Sequence, residues 1–324
     1  MSELPPGVSV VVPVYNGEET IRKVIDNLAR VLPNAAPSFE AVLVNDGSRD
    51  ASGQVIDELA ARHPWVRAIQ LSRNYGQHNA TLCGVRAAKF DVVVTMDDDL
   101  QHPAENIPLL LEKLNEGHDV VYGTPEKRPH GFWRNLSSEI TKIALRSAMG
   151  AETARGVSAL RAFRTGIRNS FADYRSPYVS IDVILTWGTT RFATIRVPHI
   201  RPVGPSNYTF LMLVRHAVNM MTGFSTAPLQ VASLVGFSFA LGGVVVLGWV
   251  VGRYVLEGKS VPGFPFLASI VSIFAGAQLF ALGIIGEYVA RMHLRTMEKP
   301  TYVIGSDSGG PAGGSFRAPG DSPL

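Results

Sequence analysis

Leu229 to Gly252 contains no charged residue, and neither does Pro265 to Gly286. Each exceeds the roughly 18 uncharged, mostly apolar residues that mark a membrane-spanning helix. Leu, Ile, Phe and Val each favour insertion by about 0.3–0.6 kcal/mol, which outweighs the several Gly and Ser in both stretches. A buried soluble hairpin is the competing reading, but two such helices end to end would leave a water-exposed fold too little polar surface. Composition agrees. Hydrophobic residues make up 46% of the 324 and charged residues only 18%, against roughly 25% charged in ordinary soluble domains, and the deficit falls in the last third.

The flanks set an orientation. Arg215 precedes the first stretch, Arg291, Arg295 and Lys299 follow the second, and the connection carries Arg253 and Lys259 beside Glu257. The basic excess lies on the outer flanks, so both termini are expected on the cytoplasmic side. Just before the first span, Phe210, Leu211, Leu213, Val214, Ala217, Val218, Met221 and Phe224 recur at helical spacing. That pattern fits an amphipathic helix in the headgroup region or an ordinary helix packed on the domain. After Ile304 the Gly/Ser-rich tail is too poor in apolar groups to fold. The expected organisation is therefore a domain over residues 1–207, a juxtamembrane helix over 208–227, a two-helix transmembrane hairpin over 228–292, and a cytoplasmic tail over 293–324, disordered after about 305.

The net charge of +3, with no dense Lys/Arg stripe, argues against a nucleic-acid partner. Cys83 is the single cysteine, which fits a reducing compartment and allows no intrachain disulfide. Met1 to Gly7 is polar and Pro-containing, so no secretory leader is expected there. The first half alternates apolar β-type runs with helical segments. Strands are predicted at Val8–Val14, Phe39–Val44, Val66–Leu71 and Val92–Met96, and helices at Glu18–Leu32, Ala51–Arg62 and Gln77–Ala88. Continuous Val/Ile runs separated by helices signify a mostly parallel sheet covered on both faces, an α/β domain.

Ligands of such sheets bind beyond the carboxyl ends of the strands. Three ends here carry polar punctuation: Pro13-Val14-Tyr15-Asn16-Gly17-Glu18-Glu19, Asn45-Asp46-Gly47-Ser48 and Asp97-Asp98-Asp99. Three adjacent carboxylates repel one another, so a fold keeps them where something positive sits against them, at a strand end usually a divalent cation preferring oxygen ligands. An acidic surface turn is the alternative reading of the three Asp alone. No Gly-rich phosphate loop of the Walker or dinucleotide type occurs, which counts against an NTPase or a dehydrogenase.

These segments carry a resemblance. The chain resembles the family 2 glycosyltransferases of GT-A fold at Val-Val-Pro-Val-Tyr-Asn-Gly-Glu-Glu, at Asp46-Gly-Ser and at the Asp-x-Asp of Asp97 and Asp99. Within that family it is similar to the polyprenyl-phosphate glycosyltransferases, at Arg73-Asn-Tyr-Gly-Gln-His78, Asp99-Leu-Gln-His-Pro103, Leu160-Arg-Ala-Phe-Arg164 and Gly276-Ala-Gln…Gly286-Glu-Tyr288. The Gln-x-x-Arg-Trp motif of processive synthases is absent, which argues for a single transfer.

The resemblance implies that residues 1–207 form a cytoplasmic GT-A catalytic domain on a bacterial inner membrane. It implies that Pro13, Tyr15, Glu18, Asp46, Asp97 and Asp98 hold a UDP- or GDP-linked sugar. Asp99 and Gln101 would ligate Mg²⁺ or Mn²⁺, and Asp97, Asp99, Gln101 and Arg201 would carry catalysis. Lys127, Arg128 and Arg134, beside Trp133, with Arg201, Ser206 and Tyr208, would hold the phosphate of a polyprenyl acceptor. A solvated basic loop is the other reading of 127–134. Such an acceptor is already anionic, so no base need deprotonate it, and His78 and His102 read as structural. Attack from the face opposite the leaving group would invert the anomeric centre. Homo-oligomers, tetramers among them, are the expected assembly.

Three positions depart from the family pattern. Asn45 stands where Asp is usual, Asn207 where Lys is usual, and Arg155 near a position commonly Asp. Transfer to a neutral membrane lipid such as a diacylglycerol or ceramide, or a non-catalytic scaffold role, are the rival functions.

Overall fold

The computed structural model describes residues 7–125, 156–198, 222–223, 226–258 and 263–309. Lys127, Arg128, Trp133, Arg134, Arg155, Arg201, Ser206, Asn207 and Tyr208 lie outside these residues, as does nearly all of the amphipathic segment at 208–227.

Four runs of largely β-branched residues, β1 (Val8–Val14), β2 (Phe39–Asn45), β3 (Val66–Leu71) and β4 (Val92–Thr95), pair in parallel in the order 3-2-1-4. Beyond β4 lies β6 (Arg161–Arg164), antiparallel to it. Next come β5 (Val120–Pro125), antiparallel to β6, and β7 (Phe192–Val197), parallel to β5. The chain runs outward from β1 through β2 to β3, then returns across the sheet to β4 on the other flank of β1. The carboxyl ends of β1 and β4 therefore part company at a topological switch point, where an open α/β sheet leaves a crevice.

Helices cover both faces. α1 (Ile21–Ala35) buries Ile21, Val24, Ile25, Leu28, Leu32 and Ala35, a stripe at the helical period. With α2 (Ser52–Arg62) and α4 (Ile107–Asn115) it packs on the face that carries Val8, Val10 and Val12. The opposite face, carrying Val11, Val42 and Ile69, is covered by α3 (Gln77–Ala87) and α5 (Ile181–Leu185). A Cβ at Gly84 would come within 2.3 Å of Val11 Cγ1, so α3 lies against β1 at a distance that only glycine permits. Each Val, Leu or Ile fully buried this way contributes about 1.5–3 kcal/mol, which makes the valine-rich strands the anchor of the domain.

The predicted elements are found within a few residues, with one informative shift. The first helix starts at Ile21 rather than Glu18, because Glu18 is engaged in the loop that follows β2. There its Oε2 accepts the Ala51 N–H at 2.8 Å, ahead of α2.

α6 (Ala227–Glu257) and α7 (Phe264–Thr296) are the two apolar stretches extended into long helices. They meet through an edge-on contact of Phe239 and Phe274. Their apolar side chains face outward: Leu234 is 66%, Phe237 68%, Val244 65% and Leu279 69% exposed. A soluble hairpin would have buried this surface. Helices of this length and composition, exposed along their sides, are suited to lipid as their solvent.

The tail departs from expectation. Residues 304–309 are ordered against the sheet. Thr301, Tyr302 and Val303 are buried, and β8 (Ile304–Asp307) pairs antiparallel to the outer edge of β3. Arg67 grips Asp307 with two hydrogen bonds, Nε to Oδ1 at 2.8 Å and Nη2 to Oδ2 at 2.6 Å. Low apolar content did not matter here, since main-chain pairing and one forked ion pair supply the attachment. The same sheet thus contains chain from before and after the two helices, which puts both flanks on one side of any bilayer they cross.

Burial alone would raise the Asp307 pKa, but hydrogen bonds from Arg67 and from the Gly309 N–H outweigh it and hold it below the ordinary carboxylate value. The stabilisation is therefore present above about pH 4 and lost as pH falls through the depressed value. We expect Asp307→Ala to cost about 1–3 kcal/mol. Hydrogen exchange should then speed up at the Ala68 and Ser72 amides, which bond to Ser308 and Val303, and unchanged exchange there would contradict this account of β8.

Candidate active site

The switch point opens into a cleft of about 420 Å³, lined by Pro13, Val14 and Tyr15 from the end of β1 and Asp46 from the end of β2. Asn74, Gly76 and Gln77 before and within α3, and Asp97, Asp98 and Asp99 after β4, complete it. That volume lies in the range of small-molecule sites. A smaller cavity of about 290 Å³ adjoins it, sharing Pro13, Gln77 and Asp97.

The loops after β1 and β2 are stitched together. Asn16 N–H donates to Ser48 Oγ at 3.0 Å, Arg49 N–H to Asn16 Oδ1 at 2.9 Å, and Gly17 N–H to Ser52 Oγ at 2.8 Å. Asn45 accepts the Ser48 N–H and hydroxyl and donates to Gln70 Oε1, so its amide braces this turn. Asp46 is almost wholly buried, and its two oxygens accept the Tyr75 and Gly76 N–H groups at 2.7 and 2.8 Å. Burial raises its pKa, with those two hydrogen bonds opposing. The start of α3 is thereby drawn up to the cleft, with its partial positive charge beside the acidic strand end.

The three aspartates take different surroundings. Asp97 accepts a hydrogen bond from Gln77 Nε2 at 2.6 Å. Burial and then repulsion from Asp99 push its pKa up to about 6, against a lowering by Arg161 and Gln77. Asp98 lies against Gly17, where a Cβ would stand 2.1 Å from Asp98 Oδ2. That oxygen is buried and accepts no hydrogen bond among the described residues. Burial first, then Asp97 and Asp99, push its pKa up to about 7. Asp99 is exposed and accepts from the Gln101 backbone N–H at 3.0 Å and from Gln101 Nε2 at 2.6 Å.

These residues fit a hard divalent cation. No three His, Cys, Asp or Glu side chains form a ready cage among the described residues. A cation that takes one or two carboxylates from protein and further oxygens from a substrate's phosphates needs no such cage. Asp99 with Gln101, beside Asp97, would supply that partial donor set, and the buried Asp98 oxygen that accepts no hydrogen bond among the described residues suits a positive neighbour.

Of the residues expected to hold a nucleotide, Pro13, Tyr15, Asp46, Asp97 and Asp98 line the cleft. Glu18 is not among the lining residues; its Oε2 accepts the Ala51 N–H ahead of α2. Those expected to grip an acceptor phosphate lie outside the described residues. His102 is buried, whereas His78 lines the smaller cavity. Sequence reasoning gave no role to Gln77, Arg161 or Asp182. Arg161 and Asp182 form a buried ion pair in the smaller cavity, and Arg161 acts on Asp97 electrostatically. Gln77 and Arg161 fall inside quoted motifs, but their nearness to Asp97 depends on α3 packing on β1 beside β4 and on β6 lying along the other edge of β4.

A parallel sheet with a carboxylate-lined cleft at its switch point is the arrangement of the GT-A glycosyltransferases. Residues 9–174 match the sequence model of glycosyl transferase family 2, and the chain belongs to that family. It is a glycosyltransferase. It is 33% identical over 303 residues to the undecaprenyl-phosphate 4-deoxy-4-formamido-L-arabinose transferase of Pectobacterium atrosepticum, covering 92% of each chain. To the protein of that name from Pseudomonas savastanoi it is 32% identical over 302 residues, covering 92% of this chain and 89% of the other. Its fold is similar to that of glucosyl-3-phosphoglycerate synthase from Mycobacterium tuberculosis, crystallised with Mn²⁺, UDP-glucose and phosphoglyceric acid. The TM-score is 0.50 at 20% identity, over 67% of this chain and 79% of that one. A structure of that synthase with phosphoglyceric acid gives a TM-score of 0.51, over 68% and 80% of the two chains.

An aspartate whose folded pKa is raised adds stability below its unfolded value, near 4, that is lost as pH rises through the folded value. Chelator-treated protein should therefore melt at a lower temperature at about pH 7.5 than at about pH 5.5, on either side of the values of about 6 and about 7. Saturating Mn²⁺ should shrink that gap by favouring the ionised carboxylates. A melting temperature that rises with pH in chelator and ignores Mn²⁺ would remove the electrostatic basis of the site.

Proposed function

We propose that this chain transfers one sugar from a nucleotide donor to a polyprenyl phosphate at the cytoplasmic face of a bacterial inner membrane. The observation that carries the reading is the cleft at the β1/β4 switch point, with paired carboxylates at one side and the start of α3 at the other. The printed names of the curated relatives, matched over nearly the whole chain, support undecaprenyl phosphate as the acceptor.

In this reading the nucleoside lies along Pro13, Tyr15 and Asp46, and the diphosphate reaches toward Asp97 and Asp99. Asp99 and Gln101 would hold Mg²⁺ or Mn²⁺. When bound, the cation offsets charge that builds on the departing diphosphate. Gln77 and Arg161 keep Asp97 oriented at the shared wall of the two cavities, where the sugar would lie. An oxygen of the acceptor phosphate attacks C1 as the C1–O bond to the diphosphate breaks, and the nucleoside diphosphate leaves with the bonding pair. The acceptor is anionic beforehand, so no side chain has to take a proton from it. Consistent with that economy, Asp182 is held in its ion pair with Arg161. Inversion at C1 follows from attack opposite the leaving group. Lys127, Arg128, Arg134, Arg201, Ser206 and Tyr208 remain our assignment for the acceptor phosphate, and a homo-oligomer our assignment for assembly.

The test is to incubate membranes carrying the protein with radiolabelled UDP- and GDP-sugars and undecaprenyl phosphate, then identify the labelled lipid. One sugar should be transferred, with dependence on a divalent cation. Asp99→Asn should lower kcat by about 10²–10³-fold, the usual loss when one transition-state charge stabiliser is removed. Turnover surviving both that substitution and chelation would defeat the assignment.

A further inference from the structure

A cavity of about 550 Å³, larger than the donor cleft, lies where the catalytic domain meets the inner ends of the two long helices. One wall is the segment 173–176, another the start of α6 at Thr226, and a third the last turns of α7 with Tyr288, Arg291 and Arg295. It shares no lining residue with the donor cleft or with the smaller cavity beside it. α5 stands between, giving Asp182 to the smaller cavity and Val183 to this one.

The wall is built from behind. Arg86 Nη2 donates to the carbonyls of Ala172 at 3.0 Å and Tyr174 at 2.6 Å, Asn79 donates to the Pro177 carbonyl at 3.2 Å, and Thr301 to that of Ser176 at 3.2 Å. Three guanidiniums, Arg175, Arg291 and Arg295, face the cavity. Arg291 is buried, paired with Glu287 at 2.8 Å and stacked 4.5 Å from the Tyr178 ring centroid. Arg175 and Arg295 are exposed. Asp173 on the rim and Glu287 beside Arg291 offset two of the three charges, so the cavity keeps a net positive balance.

Its height in the membrane follows from the sequence of α7. The uncharged run ends at Gly286, and Glu287, Arg291 and Arg295 recur every fourth residue thereafter on one face. Those turns stand at the headgroup level, with Tyr288 and a half-exposed Trp187 as amphipathic aromatics at the same level. A basic pocket at the cytoplasmic end of a membrane helix is suited to an anionic lipid headgroup.

We propose that this cavity binds the phosphate headgroup of an anionic bilayer phospholipid that is not consumed, fastening the catalytic domain to the membrane surface beside α7. The inference rests on the two membrane helices and on the cavity, and not on sugar transfer. A phosphate seated here is walled off by α5 from the carboxylates of the donor cleft, which sets it apart from the acceptor.

The full-length protein should be purified from membranes and reconstituted in phosphatidylcholine nanodiscs with and without phosphatidylglycerol. Retained lipid per protein is then measured by mass spectrometry after repurification in mild detergent. Wild type should retain phosphatidylglycerol in preference to phosphatidylcholine. The double variant Arg175→Gln, Arg295→Gln changes only exposed side chains. It should retain roughly 25-fold less, from about fivefold for each charge removed near the surface. Arg175→Lys, Arg295→Lys keeps the charges and should retain most of the lipid. Equal retention by wild type and the Gln variant, or equal loss in the Gln and Lys variants, would overturn the proposal. So would selective loss of added undecaprenyl phosphate with phosphatidylglycerol unaffected, since the cavity would then be an acceptor site. Because the readout is bound lipid, it stands whether or not any sugar is transferred.

Discussion

The carboxylates of Asp97, Asp98 and Asp99 repel one another at the end of β4, and the structure around them answers that repulsion from several directions. Two like charges about 4 Å apart repel by roughly 4 kcal/mol at an effective dielectric near 20. A hydrogen bond to a charged group returns about 1.5–3 kcal/mol, so the Gln77 contact to Asp97 does not cancel the conflict. Burial first, and then this repulsion, raise the pKa values of Asp97 and Asp98, and one buried Asp98 oxygen has no donor among the described residues. A fold that keeps such a conflict at a cleft has a use for a positive ligand there.

The strand ends hold that site open by rigid means. Asn16, Ser48, Ser52 and Glu18 join the loops after β1 and β2, and Asp46 draws the start of α3 against them. Gly17 lets the first loop approach Asp98, and Gly84 lets α3 settle onto β1. Polar pairing and close approach therefore share one purpose: positioning the cleft walls to within a hydrogen bond of each other. Glu18 and Asn45 both take part in this bracing.

The bilayer enters the argument through α6 and α7, whose apolar flanks are exposed. β8 then carries the chain from the far end of α7 back into the catalytic sheet, closed by the Arg67–Asp307 pair. The domain and its anchor are consequently joined at two places in the chain. The ends of the membrane helices are held beside the 173–178 segment.

The valine-rich runs of β1 to β4, the buried stripe of α1 and the uncharged stretches of α6 and α7 were legible from residue pattern, because burial and membrane insertion depend on local composition and period. So was the acidic strand end, since three adjacent aspartates conflict in any fold. What the pattern did not contain was who stands opposite whom. Gln77 and Arg161 reach Asp97 only because β1 and β6 flank β4. Glu18 meets the Ala51 N–H only because the loop after β2 lies beside the loop after β1. Residues 304–307, in which only Ile304 favours a strand, become β8 because the edge of β3 has unpaired main-chain groups and Arg67 awaits a carboxylate. Local sequence determined which segments fold and which enter the membrane; long-range pairing, which no window of sequence records, decided the partners of each charge.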